Sequence, residues 1–298
     1  MAKTTSAAAS GDFTGAVARA ADSIVAIHAR PRIPSSGIHW RAGVIVAASH
    51  TIKRDQDITV TVARTGSATG STESRTATLA GRDPTTDLAV LRVDGSGLAV
   101  SEIVSSDTLA VGQPVLAVGR PGADVTASFG IVSALGGAWR TWRGGVVDRA
   151  IRLDLSVLDG FSGGALVTAS GAIAGLNNSA LARGAAFALP VSTVERIVDQ
   201  LLASGRIRRG YLGVGVQPVR LRDGSVGSII VGVEPESPAD HGGLLLGDVL
   251  VAIDGAAVAD ADDLMTALAG DRIGKTATVR VIRAGEAREM PITIAERP

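Results

Sequence analysis

The chain has 298 residues, enough for two domains, and its 46% hydrophobic and 19% charged content supports buried cores rather than global disorder. Lys plus Arg (29) balance Asp plus Glu (29), which excludes the charge bias of a nucleic-acid or anionic-membrane binder. Cysteine is absent, which excludes disulfides, thiolate nucleophiles and cysteine-ligated metals.

Residues 1–20 are rich in Ala, Ser and Thr and read as a flexible polar tail. Lys3 is followed by no continuous apolar segment of the signal-peptide kind, so no export signal is visible and a cytoplasmic location is the default expectation. No run approaches the ~18 apolar residues needed to span a bilayer, and a soluble chain is expected.

From Ser23 the chain breaks into short β-branched runs: SIVAIHA, AGVIVAA, DITVTVA, RTATLAG, DLAVLRV, PVLAVGR, VTASFGIVSAL, RAIRLDLSV, GALVTAS, GAIAGLN and AAFALP. Gly, Pro, Asp or Ser punctuates most joins, the rhythm of an all-β sandwich or barrel. A helix then follows. Ser192 and Glu195 fit a capping box, Val194, Ile197, Val198, Leu201 and Leu202 recur at helical spacing, and Gly205 can end it. This closes a first domain over 21–206, with Arg206–Arg209 as a short linker. The remainder, 210–298, reads as a compact α+β module. Its strands are expected near 212–216, 228–233, 248–253, 276–282 and 289–294, with helical segments near 238–242 and 261–269.

Four histidines are present: His28, His39, His50 and His241. Without cysteine, an acyl-transfer site commonly uses a histidine to take the proton of a serine. His50 ends the apolar run VIVAASH, where a base is held by a strand yet open to substrate. Asp87 opens DLAVLRV, and an acid at the mouth of an apolar strand needs a partner, which a His ring nitrogen can supply. Taken singly, His50 reads more readily as a loop histidine and Asp87 as a turn cap, a role also open to Asp83. The stretch Gly160-Phe161-Ser162-Gly163-Gly164 is sharper. Its glycines permit positive φ, which turns the N–H groups of Gly160 and Ser162 into a shared concavity suited to an oxyanion.

GFSGG also matches G-x-S-x-G, the strand-to-helix nucleophile elbow. That turn needs a helix directly after the serine and a histidine later in the chain. Here GGALVTASGAIAGL reads as two strands, and the later histidine, His241, lies in the second module. The order His50, Asp87, Ser162 is instead that of the chymotrypsin fold.

On these residues the chain resembles the HtrA/Deg family of serine proteases over roughly residues 22–297. Ser36-Gly37 through Ala48-Ser49-His50, Asp83-Pro84-Thr85-Thr86-Asp87-Leu88-Ala89-Val90-Leu91, Gly130–Gly136, Asp154 eight residues before Ser162, and Phe187–Pro190 are similar to the family's blocks. The resemblance implies a mainly β fold, a chymotrypsin/trypsin-like double β-barrel followed by a small α+β PDZ domain. It also implies cleavage of unfolded or extended polypeptide by His50, Asp87 and Ser162, independent of ATP, in protein quality control, by a homotrimer. No cofactor and no metal are expected. Ala48-Ser49 and Leu158-Asp159-Gly160-Phe161 depart from the family pattern and place bulk and negative charge near Ser162. They keep open an alternative, a catalytically weak or inactive peptide-binding, chaperone-like protein. Segments just before Ser162 and around 176–179 and 185–187 are expected to line a pocket for a small or medium aliphatic residue.

In the second module Gly210, Tyr211, Leu212, Gly213 and Val214, after Arg209, resemble the carboxylate-binding loop of a PDZ domain. A peptide ligand would add to a sheet edge there. Leu264 and Leu268 either line that groove or fill the core. His28, His39 and His241 are expected to be structural.

Overall fold

The computed structural model describes residues 12–63, 72–181, 186–268 and 272–297. Six antiparallel strands form the first barrel: β1 (Ile24–His28), β2 (Ser35–Arg41), β3 (Val44–Ala48), β4 (Ile58–Ala63), β5 (Thr72–Asp83) and β6 (Leu88–Val93). They close in the order β1-β2-β3-β6-β5-β4. β4 shows the cause of closure most simply, because its residues alternate between buried and half-buried, with Ile58, Val60 and Val62 inward. These join Ile27, Ile45, Ala89 and Leu91 in one apolar core.

The second barrel is built from β7 (Pro114–Gly119), β8 (Thr126–Leu135), β11 (Ile151–Asp154), β12 (Ala165–Thr168), β13 (Ile173–Asn178) and β14 (Ala186–Pro190), in the order β11-β14-β13-β12-β7-β8. Between β8 and β11 a small ribbon projects, β9 (Trp139–Arg140) paired with β10 (Val146–Val147). Barrel closure leaves neither set of strands with a free edge.

Two helices flank the barrels. The first, α1 (Phe13–Ala21), occupies part of the segment expected to be a flexible tail. Asp12 caps it by accepting the Gly15 N–H at 2.8 Å, and Ala16 and Ala20 face inward. Arg19 donates to the Ser170 carbonyl at 2.7 Å, and Phe13 packs on Phe129 with ring centroids 4.9 Å apart. Arg120, only 5% exposed, donates to the carbonyls of Ile24 and Ala21 at 2.7 and 3.1 Å. The second, α2 (Val191–Ser204), begins one residue before Ser192, so the expected capping box does not form. Its free Val191 N–H is met by the Ser106 hydroxyl at 2.8 Å instead. Gly205 ends it at φ 71°, and a side chain is barred at Gly81 on β5, where a Cβ would lie 2.3 Å from the Gly205 carbonyl oxygen.

The chain divides into two units after Arg206. The second carries β15 (Gly210–Tyr211), β16 (Val214–Arg220), β17 (Val226–Val233), α3 (Pro238–His241), β18 (Val249–Ile253), β19 (Ala256–Ala257), α4 (Ala261–Ala267), β20 (Thr276–Arg283), β21 (Glu286–Thr293) and β22 (Ala295–Glu296). Its main sheet runs β16-β17-β18-β20-β21, with β19 beside β18, while β15 pairs with β22. Leu212, Ile230, Leu250, Val279, Val281 and Ile292 share its core.

Candidate active site

Antiparallel pairing of β3 with β6 ends with Ala48 opposite Leu88, so the residues just past each strand end must meet. They do so through three bonds. The Ser49 N–H donates to the Asp87 carbonyl at 2.9 Å, the His50 N–H to Asp87 Oδ1 at 2.7 Å, and His50 Nδ1 to Asp87 Oδ2 at 2.6 Å. A carboxylate only accepts, so Nδ1 carries a proton, and the neutral ring has its lone pair on Nε2. Asp87 holds the left-handed φ of 60°, a conformation Asp tolerates better than most side chains. Asp83 takes the turn-capping role, accepting from the backbone and hydroxyls of Thr85 and Thr86.

A third donor reaches the carboxylate itself. Asn178, at the end of β13, donates Nδ2 to Asp87 Oδ2 at 2.7 Å. Its Oδ1 accepts the N–H groups of Ala180 and Leu181 at 2.8 and 3.1 Å, which fixes the orientation of the amide. Sequence reasoning placed Asn178 only within the 176–179 pocket lining and gave it no part beside Asp87, because a polar residue closing an apolar run reads as the start of a turn. The ribbon also braces this corner, with the Thr141 hydroxyl donating to the Thr85 carbonyl.

Ser162 stands in the loop between β11 and β12. Gly160 and Gly163 have φ of 87° and 90°, and a Cβ on Gly163 would lie 2.3 Å from the Ser36 carbonyl oxygen. The Phe161 N–H donates to Leu158, Gly163 to Asn177 and Gly164 to Phe161. By contrast, the N–H groups of Gly160 and Ser162 meet no acceptor among the described residues, although both residues are buried. Buried donors are rarely left without a partner unless a function needs them. The Gly160 carbonyl is clamped by Ser36, whose N–H and hydroxyl both donate to it at 2.9 and 2.6 Å. The Ser36 oxygen in turn accepts the Arg120 N–H at 2.8 Å.

Phe161 is fully buried, with its ring against Gly119, where a Cβ would meet it at 3.0 Å. The expected bulk beside the nucleophile is therefore absent from the surface of the loop. Asp159 is exposed. Ser162 Oγ bonds Ser179 Oγ at 2.7 Å and accepts the Ser179 N–H at 3.2 Å, and it makes no hydrogen bond to His50 among the described residues. The structure thus joins His50 to Asp87 directly and leaves Ser162 bonded elsewhere. Ala185, expected near the specificity pocket, lies outside the described residues.

In the second unit the Gly210 N–H donates to Leu268, the Leu212 carbonyl accepts the Ala239 N–H at 2.8 Å, and Gly213 adopts φ 81° with its carbonyl accepting Glu234 N–H at 2.8 Å. Leu212 points into the core beside Leu264 and Leu268, so of the two roles open to those leucines they take core packing. Tyr211 donates to the Glu234 carboxylate, which raises the phenol above its ordinary pKa. Among the described residues β16 pairs on one side only, with β17, and Val214 leads into that open edge.

The remaining histidines are accounted for. His39 Nε2 accepts the Gly43 N–H at 3.1 Å, so Nδ1 donates to the Ala99 carbonyl at 2.7 Å. His28 bonds Thr61 Oγ1 at 2.9 Å and His241 bonds Glu236 at 3.3 Å. Among the described residues no group of three or more His, Asp or Glu side chains is placed to hold a metal, and no helix is long and apolar enough to cross a membrane.

Residues 35–176 match the trypsin-like peptidase domain and residues 210–294 the PDZ domain. The "Probable periplasmic serine endoprotease DegP-like" of Ectopseudomonas mendocina is 34% identical over 235 residues, 74% of this chain and 49% of that protein. Its namesake in Brucella suis is 34% identical over 287 residues, 91% and 54% of the two chains. The chain spans about half the length of these curated relatives. Among solved structures, the serine endoprotease from Yersinia pestis superposes with TM-score 0.80 at 30% identity, covering 96% of this chain and 98% of that one. The HtrA-type protease AlgW with decapeptide gives 0.79 at 28%, covering 96% and 99%. Relatives named as periplasmic overturn the default expectation of a cytoplasmic location, which rested on the lack of a visible export segment. With its peptidase and PDZ domains in this order and a solved serine endoprotease matched nearly end to end, the chain belongs to the HtrA-type, trypsin-like serine proteases.

Proposed function

We propose that the chain is an ATP-independent serine endopeptidase that cleaves unfolded or extended polypeptide. The observation that carries this reading is the pair of unmet N–H groups at Gly160 and Ser162, next to a serine and opposite a His50–Asp87 pair. Ser162 Oγ attacks the peptide carbonyl and its proton passes to His50 Nε2. Asp87 holds the Nδ1 proton and stabilises the imidazolium. The two N–H groups receive the oxyanion, in the place where such donors strengthen as charge develops. His50 then returns the proton to the leaving amine, and water, deprotonated by His50, releases the acyl-enzyme.

The peptidase part extends through Arg206 and the PDZ part begins at Gly210. The open edge of β16 receives a peptide as an added strand, with Gly210–Val214 holding its terminal carboxylate. A homotrimer, a quality-control role, a periplasmic location and a preference for small or medium aliphatic residues at the cleaved bond belong to this proposal. The burial of Phe161 favours it over the inactive, chaperone-like reading.

The test is casein degradation by wild type and Ser162→Ala, with fluorophosphonate labelling of each. Loss of about 10⁵-fold or more in the variant is expected. Equal cleavage by both, or none by wild type together with no labelling, refutes it. Peptide binding that survives deletion of 210–298 refutes the PDZ assignment.

A further inference from the structure

We propose that Ser179 is a positioning residue that latches the nucleophile in the resting enzyme, an inference that rests on Ser162 being that nucleophile. Ser179 follows Asn178 at the end of β13, and the turn it sits in is closed by Asn178 Oδ1 binding the Ala180 and Leu181 N–H groups. Its hydroxyl lies 2.7 Å from Ser162 Oγ, and its backbone N–H donates to the same oxygen at 3.2 Å.

A hydroxyl has one proton and two lone pairs. If Ser162 donates to Ser179, its proton is turned away from His50 Nε2. If Ser179 donates instead, its O–H and N–H together engage both lone pairs of Ser162 Oγ, including the pair that must attack. In either direction the bond has to break before acylation, and the barrier to acylation rises by its net strength. After acylation Ser162 Oγ is an ester oxygen that still accepts but has no proton to turn away from His50 and no attack to make, so the latch weighs on the first half-reaction. Ser179 therefore slows acylation more than deacylation. A residue that merely shapes the site would affect both halves alike.

The side chain at 179 is exposed, so removing the hydroxyl or adding a methyl group leaves the core untouched. The experiment compares wild type, Ser179→Ala and Ser179→Thr in the full chain. Fluorophosphonate labelling of Ser162 gives the serine's reactivity, and stopped-flow turnover of a chromogenic peptide ester separates the acylation burst from the deacylation-limited steady state. Ser179→Ala is expected to raise the labelling and burst rates about three- to tenfold, the strength of one neutral hydrogen bond, with a smaller change in the deacylation-limited steady-state rate. Ser179→Thr, which keeps the hydroxyl, should return to the wild-type rates. Labelling of Ser179→Ala at the wild-type rate or slower overturns the latch, as does an equal change in both half-reactions. Failure of all three proteins to label overturns the protease reading and the latch together.

Discussion

Asn178 donates its side-chain amide to the same Asp87 oxygen that receives the His50 ring, at 2.7 Å against 2.6 Å. The end of a strand in the second barrel thus orients an acid that belongs to the first. A carboxylate that meets two donors on one oxygen and the His50 backbone on the other has little freedom to rotate. The ring it holds is correspondingly fixed, which is what proton transfer at Nε2 requires.

Asn178→Ala should lower kcat/KM for a peptide substrate about 10- to 100-fold, the range for losing a hydrogen bond to a charged group. Asn178→Asp should be worse, because it sets a second carboxylate beside Asp87. Steady-state kinetics on the two variants check the order, and Asn178→Asp matching wild type would refute the role.

Asp87→Asn preserves the shape of the corner but offers the His50 ring a donor, which favours the wrong tautomer. Turnover should fall about 10⁴-fold, as the same exchange does in the chymotrypsin fold. Thermal unfolding should report a far smaller change than an unfolded site would produce.

Ser36→Ala leaves the Arg120 N–H without its acceptor in a fully buried place and removes one of two bonds to the Gly160 carbonyl. A cost of about 1–3 kcal/mol in stability follows from the unmet donor. kcat should fall with it if, as proposed, Gly160 carries one of the oxyanion donors. Denaturant titration and kinetics on the same preparation measure both. A stability loss with kcat unchanged would confine Ser36 to packing.

In the PDZ domain the Arg283 guanidinium grips buried Asp248 through two bonds of 2.7 Å and holds its carboxyl below the ordinary value of 3.8. A depressed folded pKa means stability that is complete above the unfolded pKa and is lost as pH falls through the folded one. Hydrogen exchange of the amides in β18 and β20 should show wild type better protected than Asp248→Asn near neutrality. The difference should close as pH falls below the ordinary carboxylate range and Asp248 takes its proton. A difference independent of pH would contradict this.

The barrels were legible because β-branched runs punctuated by Gly, Pro and Asp repeat along the chain, and GFSGG stood out through its glycines. β2 was not. Its Ser-Ser-Gly start has poor strand propensity, yet Ser36 and His39 are buried in the strand through tertiary bonds. The same holds for α1, where Gly15 and scattered Ala residues hid a helix whose inward face is only Ala16 and Ala20. Asn178 and Ser179 gave no local signal, because their partners lie 91 and 17 residues away in sequence. Phe161 was read as an obstruction because an aromatic beside a nucleophile is conspicuous in one dimension; the pocket opposite Gly119 appears only in three.

That buried ring has a thermal consequence. The Phe161 ring adds apolar contact to the backbone hydrogen bonds that hold the Ser162 loop, and it carries no charge for salt to screen or protons to titrate. Contact of this kind weakens on cooling, unlike an ion pair. The ring's share of the loop's order therefore responds to temperature rather than to the ionic composition of its surroundings, and the Gly160 and Ser162 N–H groups on either side of Phe161 keep that support through shifts in salinity that loosen surface pairs such as Arg280–Glu289.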